Sequence, residues 1–195
     1  MTTDDLIARL GALPTANIGD AMERFGSAEG LRAIWPGARL AAPAFTVWTR
    51  SGDNLAIHQS LEQVVPGQVI VVNGGGDTTR ALIGELIGGR ARAAGVAGFV
   101  IDGAVRDASG LRELGVPVFA RGVTPAGPYK NGPSRIGVPI AIGGVVVCPG
   151  DIVVGDEDGV VVVPRADATA VLERATKIFD DETDKRAVIE RELGL

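Results

Sequence analysis

The chain has 195 residues, enough for one domain with a real core, and its 46% hydrophobic and 22% charged residues are ordinary globular values that argue against disorder. With one histidine (His58), one cysteine (Cys148) and three lysines (Lys130, Lys177, Lys185), an internal disulfide is excluded, a Cys/His zinc site cannot be assembled, and a Schiff base has few candidates. Carboxylates, arginine and backbone amides are left to carry any chemistry, and 28 glycines supply unusual freedom of backbone.

The net charge is -5, and no stretch gathers lysine and arginine into a basic stripe, so no nucleic-acid partner is expected. The longest apolar run, 136–150, falls short of the roughly 20 residues of a membrane span and is broken by Pro139 and Gly143-Gly144. Met1-Thr2-Thr3-Asp4-Asp5 lacks the positive start of a signal peptide. These features predict a soluble, cytoplasmic protein without a membrane partner, and a lone thiol fits a reducing compartment.

Taken in order, Asp4 or Asp5 can cap a helix over 6–10, and Thr15 a second one reaching Phe25, where Gly26 ends it. A strand is predicted over 38–49, then a helix capped by Asp53 that runs through Gln63 and carries Leu55, His58 and Leu61. Pro66-Gly67 turns the chain into the apolar run 69–72, which reads as a strand buried on both faces. After Gly74-Gly75-Gly76-Asp77 a helical pattern continues to about Ala94. A strand at 98–102, a short helix at 107–114 and a strand at 116–120 complete an alternation typical of βαβ units.

Beyond a Gly/Pro-rich loop at 124–133, short β runs over 136–164 lie close together without helices between, which predicts antiparallel pairing. From Ala166 onward an amphipathic helix presents Val171, Leu172, Ala175, Ile178 and Phe179 on one face. The predicted architecture is a single α/β domain over 1–195 with a mixed sheet, N-terminal helices and a C-terminal helical arm (166–195). The only internal echo pairs Pro66-Gly67-Gln68-Val69 with Pro149-Gly150-Asp151-Ile152.

Three segments concentrate residues able to do chemistry: Gly84-Glu85-Leu86-Ile87-Gly88, Asp102-Gly103-Ala104-Val105-Arg106-Asp107, and Asp180-Asp181-Glu182. The second follows a buried strand, and the carboxyl ends of strands are where open α/β sheets bind ligands. Each also has a plain structural reading. Asp107 suits the N-cap of the next helix, Arg106 can pair with Asp102, and Glu85 and the 180–182 acids suit solvated helix faces.

Ala81, Gly84, Gly88, Ala91 and Gly95 recur at helical spacing, as close packing would require. A helix starting afresh near Gly84 would instead offer the N–H groups of Leu86 and Ile87 to an anion. The Gly74–Gly76 loop lacks the lysine and spacing of a nucleotide motif, Asp156-Glu157-Asp158-Gly159 reads as a hairpin turn, and His58 reads as a packed or interface residue.

In Gly84-Glu85-Leu86-Ile87, Asp102 to Asp107, and Pro149-Gly150-Asp151 through Asp156-Glu157-Asp158-Gly159-Val160, the sequence resembles the 4-hydroxy-4-methyl-2-oxoglutarate aldolases. That family is shared with the regulator of ribonuclease activity A. The resemblance spans roughly 15–186 and implies a swivelling β/β/α-type fold, a homotrimer or hexamer, and active sites between subunits. Aldolase members carry an acid, twenty intervening positions, then Arg-Asp, matched here by Glu85 and Arg106-Asp107, with glutamate where aspartate is common. The regulators tend to have glycine at the first position and an acid three residues after the Asp, where this chain has Gly110.

Carried over by position, the resemblance implies that Asp107 binds a divalent metal directly. Glu85, and Glu182 from a neighbouring subunit, would act through water. Arg106 and the amides of Leu86 and Ile87, freed by Gly84, would hold a 2-oxo acid. Oxygen ligands with retained waters suit Mg2+ or Mn2+ and not zinc. The implied activity is retro-aldol cleavage of 4-hydroxy-2-oxo acids to pyruvate, with oxaloacetate decarboxylation at the same site. The rivals are a non-enzymatic inhibitor of ribonuclease E and an enzyme for another 2-oxo acid, selected by the loop at 124–133.

Overall fold

The computed structural model describes residues 2–194. Helix α1 (Thr3–Ala12) is capped by Thr2, whose hydroxyl oxygen accepts the Asp5 N–H at 3.2 Å. Asp4 and Asp5, the expected caps, lie inside the first turn, where they complement the positive helix end. Helix α2 (Thr15–Ala21) stops short of Phe25, because Glu23 and Arg24 take left-handed backbone with φ of 57° and 69°. Thr15 does not cap this helix. Its N–H and hydroxyl both donate to the buried carboxylate of Asp156, at 2.8 and 2.6 Å.

Two short strands follow, β1 (Ser27–Ala28) and β2 (Arg32–Ala33), and then the ten-residue β3 (Leu40–Thr49). Helix α3 (Leu55–Ser60) is shorter than predicted, and strand β4 (Val69–Asn73) lies where the apolar run placed it. The helix expected from Asp77 to Ala94 is divided. Ala81–Ile83 form a buried strand, β5, and α4 (Glu85–Ala93) begins only after Gly84. An Asx turn at Asp77, whose carboxylate accepts the Thr79 N–H, and a bond from Ala81 N–H to the Ala126 carbonyl hold the early residues extended. Ala81 is therefore not on the helix, while Gly88 packs against Leu111.

Strand β6 (Gly98–Val105), helix α5 (Ala108–Glu113) and strand β7 (Val118–Val123) continue the alternation. The short runs after the loop become β8 (Ser134–Ile136), β9 (Ile140–Ile142), β10 (Val145–Val147), β11 (Ile152–Asp156) and β12 (Gly159–Val163). The chain closes with α6 (Ala168–Leu193).

The large sheet runs β1-β12-β11-β3-β4-β6-β7-β2. Strand β3 divides it by character. Its first residues, Leu40 to Pro43, pair antiparallel with β11, whereas Ala44 to Trp48 pair parallel with β4. From there β4, β6 and β7 are parallel, as the βαβ pattern predicts, and β9/β10 and β11/β12 are antiparallel hairpins. The echo in sequence is one turn used twice. Gln68 N–H bonds the Val65 carbonyl and Asp151 N–H the Cys148 carbonyl, with Gly67 and Gly150 at φ of 88° and 90°. Pro then Gly in the central positions is the type II turn, and here it launches the two strands that flank β3.

Burial falls into three clusters. One, around Ile70, Phe99 and Ile101, packs the parallel sheet beneath α3, α4 and α5. A second, around Leu31, Phe119 and Val153, fills the opposite face. The third joins Leu10 and Ile18 to Val161 and to Val171, Leu172 and Ala175 of α6. Ile178 and Phe179 are half-buried, and every residue from Asp180 to Gly194 is exposed. No helix among the described residues is long and apolar enough to cross a membrane.

Asp156 ties three parts of this fold together, accepting from Thr15 and from the Asp158 N–H at 3.0 Å inside the hairpin turn. Removing a buried, hydrogen-bonded carboxylate leaves those donors unpaired. Asp156→Ala is expected to destabilise the protein by about 3 kcal/mol, read as a lower urea midpoint at unchanged slope.

Candidate active site

Every residue of β6 is buried, and the strand delivers Arg106 and Asp107 to the sheet's carboxyl edge. Asp102 is not the partner of Arg106. Its carboxylate pairs with Arg121 from the adjacent β7 and accepts the Gly143 N–H at 3.3 Å. Arg106 is directed outward, with Nε 3.5 Å from Asp107 Oδ2.

Asp107 stands at the N-cap position of α5, as expected, but makes no capping bond from its side chain. Its backbone is left-handed, with φ 55° and ψ 43°, a region that costs a non-glycine residue about 1 kcal/mol or more. The result is that its carboxylate crosses to α4, where Oδ2 accepts the Glu85 N–H at 3.3 Å. Gly84 makes room for this crossing. A Cβ there would overlap Asp107 Oδ2 and sit 2.9 Å from Cγ of Arg106.

The start of α4 matches the second reading of its glycines. Gly84 supplies no side-chain cap, Gly88 N–H bonds the Gly84 carbonyl, and Glu85 N–H is taken by Asp107. The N–H groups of Leu86 and Ile87 have no acceptor among the described residues. Two free donors at the positive end of a helix favour an anionic or carbonyl oxygen. Glu85 itself is exposed, and its Oε2 lies against Gly110, where an added Cβ would overlap it.

Apart from Glu85, these groups border a cleft of about 120 Å3. Gly84, Leu86, Ile87, Arg106 and Asp107 form one side, and Asn54, His58 and Lys130 are on the others. Asp53 holds the far wall in place. Its fully buried carboxylate accepts the N–H groups of Leu55 at 3.0 Å, Asn131 at 2.6 Å and Gly132 at 2.9 Å, so Asp53, which precedes the observed N-cap Asn54 instead of occupying that position as expected, anchors the 124–133 loop to α3. Burial pushes the Asp53 carboxyl upward, but those three N–H groups and the Arg50 charge outweigh it and leave its pKa below the usual value.

His58 belongs to the cleft wall, a placement its helical neighbours in sequence do not reveal, since α3 reaches Arg106 only through tertiary packing. The only advance signal was its being the sole imidazole in the chain. Its Nδ1 accepts from Arg90 Nη1 at 3.4 Å, and burial, then the charges of Lys130 and Arg90, lower its pKa. Lys130 and Asn54 were likewise absent from the sequence-derived set.

Other expected features resolve by geometry. Gly74 and Gly76 donate their N–H groups to the Asp102 carbonyl, so this loop has spent the amides a phosphate would need. Asp156 to Gly159 is a hairpin turn, as predicted. Glu182 is not at its own chain's cleft and accepts from Asn17 Nδ2 at 2.7 Å, while Asp180 and Asp181 are solvated. Among the described residues no three His, Cys, Asp or Glu side chains converge as a metal cage. The only carboxylate lining the cleft among the described residues is that of Asp107, and a single carboxylate suits a hard cation retaining several waters.

The His58 environment has a measurable consequence. With its folded pKa below 6.5, the unfolded chain takes up a proton first as the pH falls, so this residue's contribution costs stability below about pH 6.5 and nothing above it. NMR titration of the single imidazole is expected to give a midpoint under 6.5, and Lys130→Ala to raise it.

A family model described as RraA-like, aldolase/RraA, matches residues 15–162. A protein of Halalkalibacterium halodurans, provisionally named a 4-hydroxy-4-methyl-2-oxoglutarate aldolase, is 39% identical over 193 residues, covering 98% of this chain and 92% of its own length. A Burkholderia multivorans protein with the same provisional name is 37% identical over 155 residues, 76% of this chain and 94% of its own. Among solved structures, Streptomyces coelicolor RraAS2, described as an unusual member of the RNase ES inhibitor RraA protein family, superposes with a TM-score of 0.86 at 32% identity, over 95% of this chain and 97% of its own. The chain belongs to the RraA-like aldolase/RraA family.

Proposed function

We propose that this protein is a divalent-metal-dependent lyase. It cleaves 4-hydroxy-2-oxo acids of the 4-hydroxy-4-methyl-2-oxoglutarate type to pyruvate, and decarboxylates oxaloacetate at the same site. The observation that carries this reading is the convergence of Arg106, Asp107 and the free Leu86 and Ile87 amides at one cleft, with Glu85 tied to it by the bond from its N–H to Asp107. The provisional names of the two relatives point the same way. The chemistry fits because both reactions break a bond to C3 of a 2-oxo acid and push its electrons toward the 2-oxo oxygen.

Arg106 and the two amides bind the substrate carboxylate and 2-oxo oxygen, fixing the head of the molecule against α4. Asp107 would hold Mg2+ or Mn2+ directly, and Glu85 and a neighbouring copy's Glu182 would act on it through water. When bound, the cation supplies Lewis-acid polarisation of the 2-oxo acid head. Arg106 offsets the negative charge that collects on the 2-oxo oxygen as the C3–C4 bond breaks. Glu85 positions the water that takes the proton of the C4 hydroxyl and returns one to C3. Lys130 and the 124–133 loop face the remainder of the substrate.

The alternative, an inhibitor of ribonuclease E acting by protein contact, draws support from the description of the Streptomyces relative. The Glu85–Gly110 arrangement favours the enzyme, since it keeps the acid where the aldolases have theirs. In a pyruvate-coupled assay, product is expected only with Mg2+ or Mn2+ and is abolished by chelator. Arg106→Ala is expected to lower kcat/KM by about 100-fold or more, the scale of losing a donor to developing charge. Normal turnover of that variant, or tight ribonuclease binding with no lyase activity, overturns the assignment.

A second part of the reading concerns assembly. The exposed end of α6 carries Val188, Ile189 and Leu193 at 47, 54 and 68% exposure, an apolar content that packing across a subunit boundary would cover. A homotrimer or hexamer is expected in light scattering at micromolar concentration. A monomer there refutes it.

A further inference from the structure

Two buried side-chain atoms among the described residues lack a hydrogen-bond partner, Asn54 Oδ1 and His58 Nε2, and both residues line the cleft. Buried polar atoms are nearly always satisfied, and leaving one unpaired costs about 1–3 kcal/mol. Both exceptions belong to residues that line the candidate site, so a donor and an acceptor there are open to a ligand.

Their chemistry follows from their other bonds. Asn54 is only 3% exposed, and its Nδ2 donates to the Leu82 carbonyl at 2.9 Å, which fixes the amide's orientation and leaves Oδ1 as an acceptor. Arg90 Nη1 can only donate, so His58 Nδ1 is the acceptor of their contact and the ring proton sits on Nε2. Burial and the charges of Lys130 and Arg90 favour the neutral ring. The wall therefore offers one spare donor and one spare acceptor, set one helical turn apart, since His58 N–H bonds the Asn54 carbonyl at 3.2 Å.

We propose that Asn54 and His58 form a neutral subsite for a ligand hydroxyl, which accepts from Nε2–H and donates to Oδ1. A carboxylate or carbonyl would satisfy only the donor and an ammonium only the acceptor. Resting on the aldolase reading above, the hydroxyl is the one on C4 of the substrate. Neither residue is its proton acceptor, because Nε2 already carries a proton and an amide oxygen is far too weak a base. Their role is positioning and selection: Nε2–H stays on the same oxygen as the hydroxyl becomes the product carbonyl. Such uniform binding acts on KM more than on kcat.

Oxaloacetate has no C4 hydroxyl and serves as the internal control. His58→Phe, which keeps a ring without the N–H, is expected to raise KM for 4-hydroxy-2-oxoglutarate about tenfold or more and to lower the ratio of aldol cleavage to decarboxylation by a similar factor. His58→Gln, which retains a donor, is expected to recover much of that ratio. Equal loss of both activities in His58→Phe overturns the proposal, as does a long-range 1H–15N spectrum of the single imidazole placing the proton on Nδ1. If the wild-type protein cleaves no hydroxylated acid, the aldolase reading falls separately. In that case 4-hydroxy-2-oxoglutarate and 2-oxoglutarate are titrated against the His58 resonance. A shift of Nε2 by the hydroxylated acid alone upholds the subsite, and no shift refutes it.

Discussion

Strand β3 is the member on which the two halves of this molecule depend. It pairs antiparallel with β11 along Leu40 to Pro43 and parallel with β4 along Ala44 to Trp48, so one backbone serves hairpin architecture at one end and βαβ architecture at the other. The matching Pro-Gly turns before β4 and β11 bring both neighbours in at the right register. Burial on three fronts follows, with helices α3 to α5 on one side of the parallel sheet and α1, α2 and α6 over the antiparallel hairpin.

Within that frame, the cleft is assembled from segments that each end where their structure changes. β6 stops at Arg106, α4 starts after Gly84, and the left-handed turn at Asp107 aims a carboxylate across the gap between them. The opposing wall is held by buried Asp53, which binds both α3 and the loop near Asn131. Strain at Asp107 and the unpartnered atoms of Asn54 and His58 are costs that a self-sufficient scaffold would avoid. Their concentration at one place is a physical argument for a site, independent of any resemblance.

Much of this was legible from residues alone where local pattern and global structure agree. The apolar runs that became β4, β6 and β7, the amphipathic face of α6 and the Arg106-Asp107 pair needed no tertiary information. Ala81–Ile83 did, because three apolar residues after a glycine loop suit a helix or a strand equally, and pairing with β6 decided it. The N-cap position of Asp107 is legible in the sequence, but the use of its carboxylate is not, since only the approach of α4 offers it the Glu85 N–H. Arg106 was open to pairing with Asp102 until β7 supplied Arg121. His58, Asn54 and Lys130 could not be assigned to the cleft, as their distance from Arg106 along the chain is bridged by packing that no short motif encodes.

The contact between Glu85 and Gly110 bears on how such a site changes over generations. The two positions lie on different helices yet share one volume, so a side chain arriving at 110 would turn the Glu85 carboxylate away. Because Glu85 is exposed and its carboxylate is the mobile end of a flexible side chain, it can swing aside, so a side chain at 110 re-aims the acid at 85 rather than excluding it. The direction of the acid at one helix start is thereby set through space by the size of a residue on another helix.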